Sequence, residues 1–163
     1  TCPLFLDGQD SRAPIERRSA TLMAVAMLIE RIRAILEPRS EVLEAYLFGS
    51  QAQGGASEHS DVDVAVYLID SVPQEPFGIH AALLTELMRG LGRNDIDLVV
   101  LNEATPLLYH RVLQEGERVL ARHLAHTTTR EGRALSRYFD WVPTERRMEK
   151  LELERIERGE FGR

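Results

Sequence analysis

The sequence is poor in cysteine and lacks a long apolar run. Its 163 residues include one cysteine, Cys2. An internal disulfide bond is therefore impossible, which fits a reducing compartment, and we expect a cytoplasmic protein. A helix that crosses a bilayer needs about 20 apolar residues, and the stretch from Ala20 to Ile29 is shorter than that. No membrane partner is expected.

Positive charge is also scarce relative to negative charge. The chain has 20 Lys and Arg residues against 26 Asp and Glu residues, which gives a net charge of −6. Proteins that bind nucleic acids in general draw most of their affinity from Lys and Arg contacts with phosphates. The charge balance argues against that class, and nucleic acid is not expected as a partner.

The short apolar stretch is predicted to belong to an amphipathic helix. A 3-4-3-4 spacing connects five apolar residues across intervening charges: Leu22, Val25, Ile29, Ile32 and Leu36. This spacing places them on one helix face that packs on a core. The helix is predicted to begin at about Pro14 or Ser19 and to end at Glu37, before Pro38.

Strand and helix patterns alternate along the rest of the chain. Runs rich in apolar and β-branched residues predict four strands, at about Leu43–Phe48, Asp61–Leu68, Asp95–Leu101 and Arg118–Ala121. Helices are predicted at about Phe77–Leu91 and Thr105–Gln114, the second with Thr105 as its N-cap. A helical tail is predicted from Thr127, with a break near Pro143.

This order of elements predicts an α/β (α+β) fold. One small mixed sheet is flanked by helices, with additional helices at both ends of the chain. We expect a single domain over residues 1–163, with a core at about 40–122 and a C-terminal helical tail at about 127–163.

The first residues with chemical meaning are Gly49 and Ser50, directly after the first predicted strand. A glycine lets the backbone approach a ligand closely, and backbone N–H groups at such a turn, together with the serine hydroxyl, can bind an anion. The pair has the form of a phosphate cradle, although Gly-Ser after a strand is more often an ordinary turn.

Two carboxylates, Asp61 and Asp63, open the second predicted strand. Residues two apart on a strand share a face, so both side chains are expected to project together while Val62 and Val64 face the other way. Neighbouring carboxylates raise each other's pKa unless a cation lies between them. Oxygen ligands of this kind suit Mg²⁺ or Mn²⁺. The alternative is a solvated strand end.

A third carboxylate, Asp97, lies in the apolar run Ile-Asp-Leu-Val-Val-Leu. Its burial is costly unless it is paired or bound to a metal. If its strand lies beside the Asp61 strand, Asp97 completes a cluster of three; the alternative is an acid in solvent. Asp95 is predicted to be solvated. Three carboxylates around two Mg²⁺ ions suit displacement at the α-phosphorus of a nucleotide.

These residues resemble a known signature. Gly49-Ser50, ten residues and Asp61-Val-Asp63 are similar to the Gly-Ser-X10-Asp-X-Asp pattern of the polymerase-β-like nucleotidyltransferase superfamily. The Asp97 strand and the stretch that follows it resemble the minimal nucleotidyltransferases, the MntA-type antitoxins. The resemblance implies the nucleotidyltransferase fold, phosphate contacts at Gly49 and Ser50, and metal ligation by Asp61, Asp63 and Asp97, where Asp97 could instead serve as the base.

The resemblance also implies an activity. MntA-type antitoxins transfer AMP from ATP to a tyrosine of a HEPN-type toxin (HepT) and thereby neutralise it. ATP as substrate, Mg²⁺ as cofactor and a HepT-like protein as acceptor and partner are therefore expected. Two alternatives remain open: a small-molecule nucleotidyltransferase of the aminoglycoside-modifying type, and an inhibitor that binds the toxin without catalysis.

The chain departs from the family pattern after Gly-Ser. Many relatives carry a basic residue there, whereas this chain has Gln51 and Gln53, with no Lys or Arg as far as Ser60. The charge of the triphosphate must then be balanced by metal, by backbone amides or by an arginine from elsewhere in the chain.

Two groups of residues in the tail have open interpretations. The first is aromatic and apolar, and it either packs on the core or binds a partner: Tyr138, Phe139, Trp141 and Val142. The second is a basic stripe that either forms surface salt bridges or contacts a partner: Arg130, Arg133, Arg137, Arg146 and Arg147. The histidines show no zinc-type pairing.

Overall fold

The protein, here as a computed structural model, is described over residues 13–52, 60–71 and 77–157. The described part contains five helices: α1 (Ala13–Leu36), α2 (Gly49–Ala52), α3 (Gly78–Leu91), α4 (Pro106–Glu115) and α5 (Leu124–Glu157). It contains four strands: β1 (Val42–Phe48), β2 (Val62–Leu68), β3 (Ile96–Val100) and β4 (Glu117–Ala121). The parts of the predicted single domain at 1–12, 53–59, 72–76 and 158–163 lie outside the described residues.

The strands form one mixed sheet in the order β3-β2-β1-β4. β1 pairs antiparallel with both β2 and β4, whereas β2 and β3 are parallel. Parallel neighbours need a crossover connection, and α3 lies in the segment that joins β2 to β3. The predicted fold class, a small mixed sheet flanked by helices, is confirmed.

The sheet has an apolar core on each face because residues in its strands alternate. On one face Val62, Val64 and Val66 are fully buried and pack with residues of α1 and α3, such as Ile32 and Leu87. On the opposite face a second cluster joins the sheet to α4 and α5: Tyr46, Phe48, Ala65, Leu101, Tyr109, Val112 and Ala134. The predicted apolar face of β2 is confirmed.

Side chains cover the outer edges of the sheet. Nε2 of His80 lies 2.8 Å from the carbonyl oxygen of Leu98 in β3, and since a carbonyl only accepts, this nitrogen carries the proton. Nε of Arg33 donates to the carbonyl oxygen of Val119 in β4 at 2.8 Å. Such contacts reduce the tendency of an edge strand to pair with another chain.

A buried ionic network fixes α5 to β1. The carboxylate of Glu44, which has no solvent exposure, is paired with the guanidinium of Arg130. The hydroxyl of Tyr46 lies 3.0 Å from Oε2 of Glu44 and 2.9 Å from Oε1 of Glu131. Arg118 pairs with Glu131 in turn. The N-terminal part of α5 is therefore attached to the sheet by this network.

Two predictions about the helices are wrong. Leu22 was expected to pack on the core, but 66% of it is exposed, since packing begins one turn later, at Val25. The tail was expected to break near Pro143, yet α5 continues through it. Proline removes one helical hydrogen bond, the one that the carbonyl of Phe139 would accept. Phe139 is largely exposed, so water can replace that donor.

Thr105 is confirmed as the N-cap of α4, since its hydroxyl accepts a hydrogen bond from the backbone N–H of Leu108 at 3.3 Å. In the described part of the chain, no helix is both long enough and apolar enough to cross a membrane.

Candidate active site

The junction of β1 and α2 brings the backbone against a carboxylate. Gly49 is buried and has φ = +72°, a conformation that favours glycine. A Cβ atom at this position would lie 2.1 Å from Oδ2 of Asp63. Asp63 is held there because its strand partner in the β1–β2 register is Phe48, the residue before Gly49. Ser50 follows Gly49 and is exposed.

The second and third strands place two carboxylates side by side. Asp63 and Asp97 are register partners in the parallel pair β2–β3, so their side chains leave the same face of the sheet, on strands about 4.8 Å apart. Asp61 lies just before β2 and is exposed, as is Asp97, while Asp63 is partly buried. The structure therefore places Asp63 and Asp97 side by side, and Asp61 precedes Asp63 by two residues.

The electrostatics of Asp63 reflect this crowding. Burial raises the pKa of the Asp63 carboxyl, and the negative charges of Asp97 and Asp61 raise it further. Arg111, on α4, lowers the pKa of Asp63 by its positive charge. A carboxylate in such surroundings gains from a nearby cation, because the cation favours its ionised form.

Two residues that were not selected as site residues from the sequence bind the backbone just before β2. Arg93 donates to Oδ1 of Asp95 through Nε at 2.6 Å and to the carbonyl oxygen of Ser60 through Nη2 at 2.8 Å. Gln51 donates to the same carbonyl at 3.0 Å through Nε2. These bonds fix the backbone that precedes Asp61. Asp95, which was predicted to be solvated, keeps 37% of its side chain exposed and also pairs with the Arg93 guanidinium.

The three acids are not pre-assembled as a closed metal cage. Within residues 13–52, 60–71 and 77–157, no group of three or more His, Cys, Asp or Glu side chains is arranged to hold a metal ion. The donor chemistry nevertheless fits a hard divalent cation, since these ligands are carboxylate oxygens alone. The close approach of the Gly49 backbone to Asp63 leaves no space that a side chain could fill.

A cleft of about 810 Å³ lies away from these acids, between Tyr67, Tyr109 and α5. Of the basic stripe, Arg130 is engaged with Glu44 and lies 4.8 Å from the ring centre of Tyr67. Arg133 and Arg137 are exposed and line the cleft. The acids are the stronger candidate for the active site, since one of them, Asp63, has a raised pKa and lies against the Gly49 backbone, whereas the cleft has no such feature.

Some aromatic residues of α5 pack against the folded body, as one interpretation of the sequence predicted, and others are exposed, as the partner-binding interpretation requires. Tyr138 stacks on His110 of α4, with ring centres 3.7 Å apart. Phe139 is 65% exposed and is not part of the core.

The chain is similar to known proteins in sequence and in fold. The family described as "Polymerase beta, Nucleotidyltransferase" matches residues 30–124. A curated relative, protein adenylyltransferase MntA of Shewanella oneidensis, is 32% identical over 74 residues, which cover 45% of this chain and 50% of the relative. The aligned part thus spans only half the length of that relative.

Solved structures share the fold at low sequence identity. A toxin–antitoxin complex with AMP-PNP contains a chain that is 23% identical, with a TM-score of 0.63. The match covers 76% of this chain and 98% of that one. A complex of a tri-AMPylated Shewanella oneidensis HEPN toxin with MNT antitoxin contains a chain that is 20% identical, with a TM-score of 0.60, over 78% of this chain and 98% of the other.

Proposed function

Because this chain belongs to the polymerase beta nucleotidyltransferase family, we propose that it transfers AMP from ATP to a tyrosine of a HEPN-type toxin. It thereby acts as an antitoxin, and a cytoplasmic location gives it both ATP and the toxin. The observation that carries the proposal is the pairing of Asp63 with Asp97 across β2 and β3, directly beside the Gly49 backbone.

The acids are the proposed metal ligands. Asp61, Asp63 and Asp97 would hold Mg²⁺, two ions in the full complex. When bound, the metal neutralises charge on the triphosphate and lowers the pKa of the attacking hydroxyl. Burial and the negative charges of Asp97 and Asp61 raise the pKa of Asp63, which gives the site a reason to take up a cation.

The remaining roles belong to the chain's own groups. Gly49 and Ser50 would contact the phosphates, because the positive φ of Gly49 lets the backbone come close and Ser50 is exposed. Asp97, exposed at the start of β3, would be the third ligand or would accept the proton of the acceptor hydroxyl. Positioning and charge supply most of the catalysis in such transfers.

The toxin is proposed as acceptor and partner because the similar proteins act in that setting. The relative is named as a protein adenylyltransferase, and the solved neighbours are toxin–antitoxin complexes, one with a tri-AMPylated toxin. We also propose that residues 1–163 act as one domain, because the Glu44–Arg130 pair joins α5 to the sheet that carries the site.

The test is transfer of label from α-labelled ATP. The chain is incubated with Mg²⁺ and a purified HEPN-type toxin, and Asp61→Asn serves as the inactive control. Label on the toxin tyrosine with the wild type alone is the expected result. Label on an aminoglycoside but not on the toxin would favour the small-molecule alternative. Toxin inhibition without any label would favour the non-catalytic inhibitor.

A further inference from the structure

The stretch that follows the Gly49-Ser50 turn lacks positive charge. From Gln51 to Ser60 there is no Lys or Arg, although ATP brings a highly charged triphosphate to this turn. Enzymes that transfer phosphoryl groups commonly place Lys or Arg against such charge, in addition to metal. An arginine from another element of the fold can take that place, in addition to metal and backbone amides.

Helix α4 forms a wall next to the turn. Gly116, the residue that caps its C-terminus, packs so closely on the end of β1 that a Cβ atom there would lie 3.3 Å from the carbonyl oxygen of Leu47 and 3.4 Å from Cβ of Phe48. Phe48 is followed directly by Gly49. Within α4, Tyr109 and Val112 are buried against the sheet, whereas 60% of the Arg111 side chain is exposed.

Helix α4 also contacts α2, the short helix that begins with Gly49 and Ser50. Arg111 therefore lies on an element that flanks the proposed phosphate-binding turn, and its positive charge acts on Asp63 beside that turn. The described contact of the guanidinium is one bond of 3.1 Å from Nε to Oε2 of Glu115, one helical turn further on. An exposed pair of this kind contributes little to stability and can be exchanged for a stronger partner.

A second arginine near these acids, Arg93, is already engaged. It binds the carboxylate of Asp95 and the carbonyl oxygen of Ser60 at the same time. Its guanidinium therefore holds the backbone before β2 in place. Of the two arginines, Arg111 is the better placed to bind an incoming anion.

We propose that Arg111 leaves Glu115 and binds the outer phosphates of ATP, so that α4 supplies the cation that the loop lacks. This inference rests on the proposed nucleotidyltransferase function and names a substrate-binding residue for it. A planar guanidinium can donate two parallel hydrogen bonds to phosphate oxygens, which an ammonium group cannot.

Binding of Mg·ATP is measured first without any acceptor, by equilibrium titration, for wild type, Arg111→Gln, Arg111→Lys and Glu115→Gln. Arg133→Gln is the matched control, since Arg133 is an exposed arginine on α5 that lies outside the acid cluster. We expect Arg111→Gln to weaken Mg·ATP binding about 10-fold or more, the usual effect of losing a hydrogen bond between charged groups. Arg111→Lys should lose less, and Glu115→Gln should bind as tightly as wild type or more tightly.

A second readout separates phosphate binding from a structural role. Arg111→Gln should weaken the binding of ATP and of inorganic pyrophosphate but leave that of AMP unchanged, and it should raise KM for ATP more than it lowers kcat. Arg133→Gln should stay within about twofold of wild type.

The proposal is overturned if Arg111→Gln binds Mg·ATP within about twofold of wild type, or if it weakens AMP and ATP equally. Because this titration contains no toxin, its outcome does not depend on which acceptor the enzyme uses. Failure of label transfer by the wild type would refute the proposed function and leave the Arg111 result standing.

Discussion

Gly49 and Asp63 lie so close together that a single Cβ atom on the glycine would come within 2.1 Å of the carboxylate oxygen Oδ2. The turn after β1 and the first carboxylate of β2 are therefore one structural unit. A residue other than glycine at position 49 would have to displace the acid, because the backbone on both sides is fixed by the β1–β2 pairing.

Gly49→Ala tests this unit. The Cβ would push Asp63 aside, and a displacement of about 1 Å in a catalytic group can cost about 100-fold in rate. We expect a loss of AMP transfer of that order, measured as kcat/KM. Gly92→Ala is the matched control, since Gly92 has φ = +70° and nothing within 4 Å of a Cβ. Equal loss of activity in both variants would show that backbone strain, and not the clash with Asp63, is responsible.

Asp63→Asn should stabilise the metal-free protein while it abolishes activity. The folded-state pKa of Asp63 is raised, so ionisation of this group opposes folding, and stability is lost as pH rises through the folded pKa. The unfolded value is about 3.9. The Tm of Asp63→Asn should therefore exceed that of wild type in EDTA at neutral pH, and the difference should vanish below about pH 3.9.

Added Mg²⁺ gives a second test of the same residue. It should raise the Tm of wild type, since a ligand that binds only the folded state stabilises it, and have a smaller effect on Asp63→Asn. Asp140→Asn, on the exposed side of α5, is the control and should behave as wild type. A lower Tm for Asp63→Asn in EDTA at neutral pH would contradict the assignment of Asp63 as a destabilised carboxylate.

Arg130→Met should destabilise the fold. It leaves the carboxylate of Glu44 buried with no exposure and without its cationic partner, and the loss of one partner of a buried pair costs about 3–5 kcal/mol. The free energy of unfolding in urea measures the effect. Arg133→Met, on the same helix but exposed, should stay within about 0.5 kcal/mol of wild type. The double variant Glu44→Met, Arg130→Met should recover most of the loss. An unchanged unfolding free energy in Arg130→Met would show that the pair does not hold α5 to the sheet.

Local pattern was enough to predict the four strands and a small mixed sheet. The β-branched runs and turn residues determine β1 to β4 within a few residues, but they left open which strands are neighbours. The expectation that Asp97 completes the acid cluster was conditional on its strand lying beside the Asp61 strand, and the β2–β3 register meets that condition.

Contacts between distant residues could not be predicted in the same way. Arg93 reaches the carbonyl of Ser60 across 33 positions of the sequence, and no local pattern marks it. Arg111 acts on Asp63 only because α4 packs beside the β1–α2 turn. Helix α5 continues through Pro143 because water can reach the carbonyl of Phe139, which is exposed. The spacing of residues in the sequence does not reveal this exposure.

The most direct test of the account compares Asp97, which lies in β3, with Asp95, which directly precedes this strand. Asp97→Asn removes a proposed metal ligand, whereas Asp95→Asn alters an acid that is engaged with Arg93. The measurement is kcat for AMP transfer from labelled ATP to the toxin, with Mg²⁺ and with EDTA. The account predicts transfer by wild type and by Asp95→Asn with Mg²⁺, none in EDTA, and a loss of about 100-fold or more in Asp97→Asn. Equal activity of the two variants, or transfer that persists in EDTA, would contradict it.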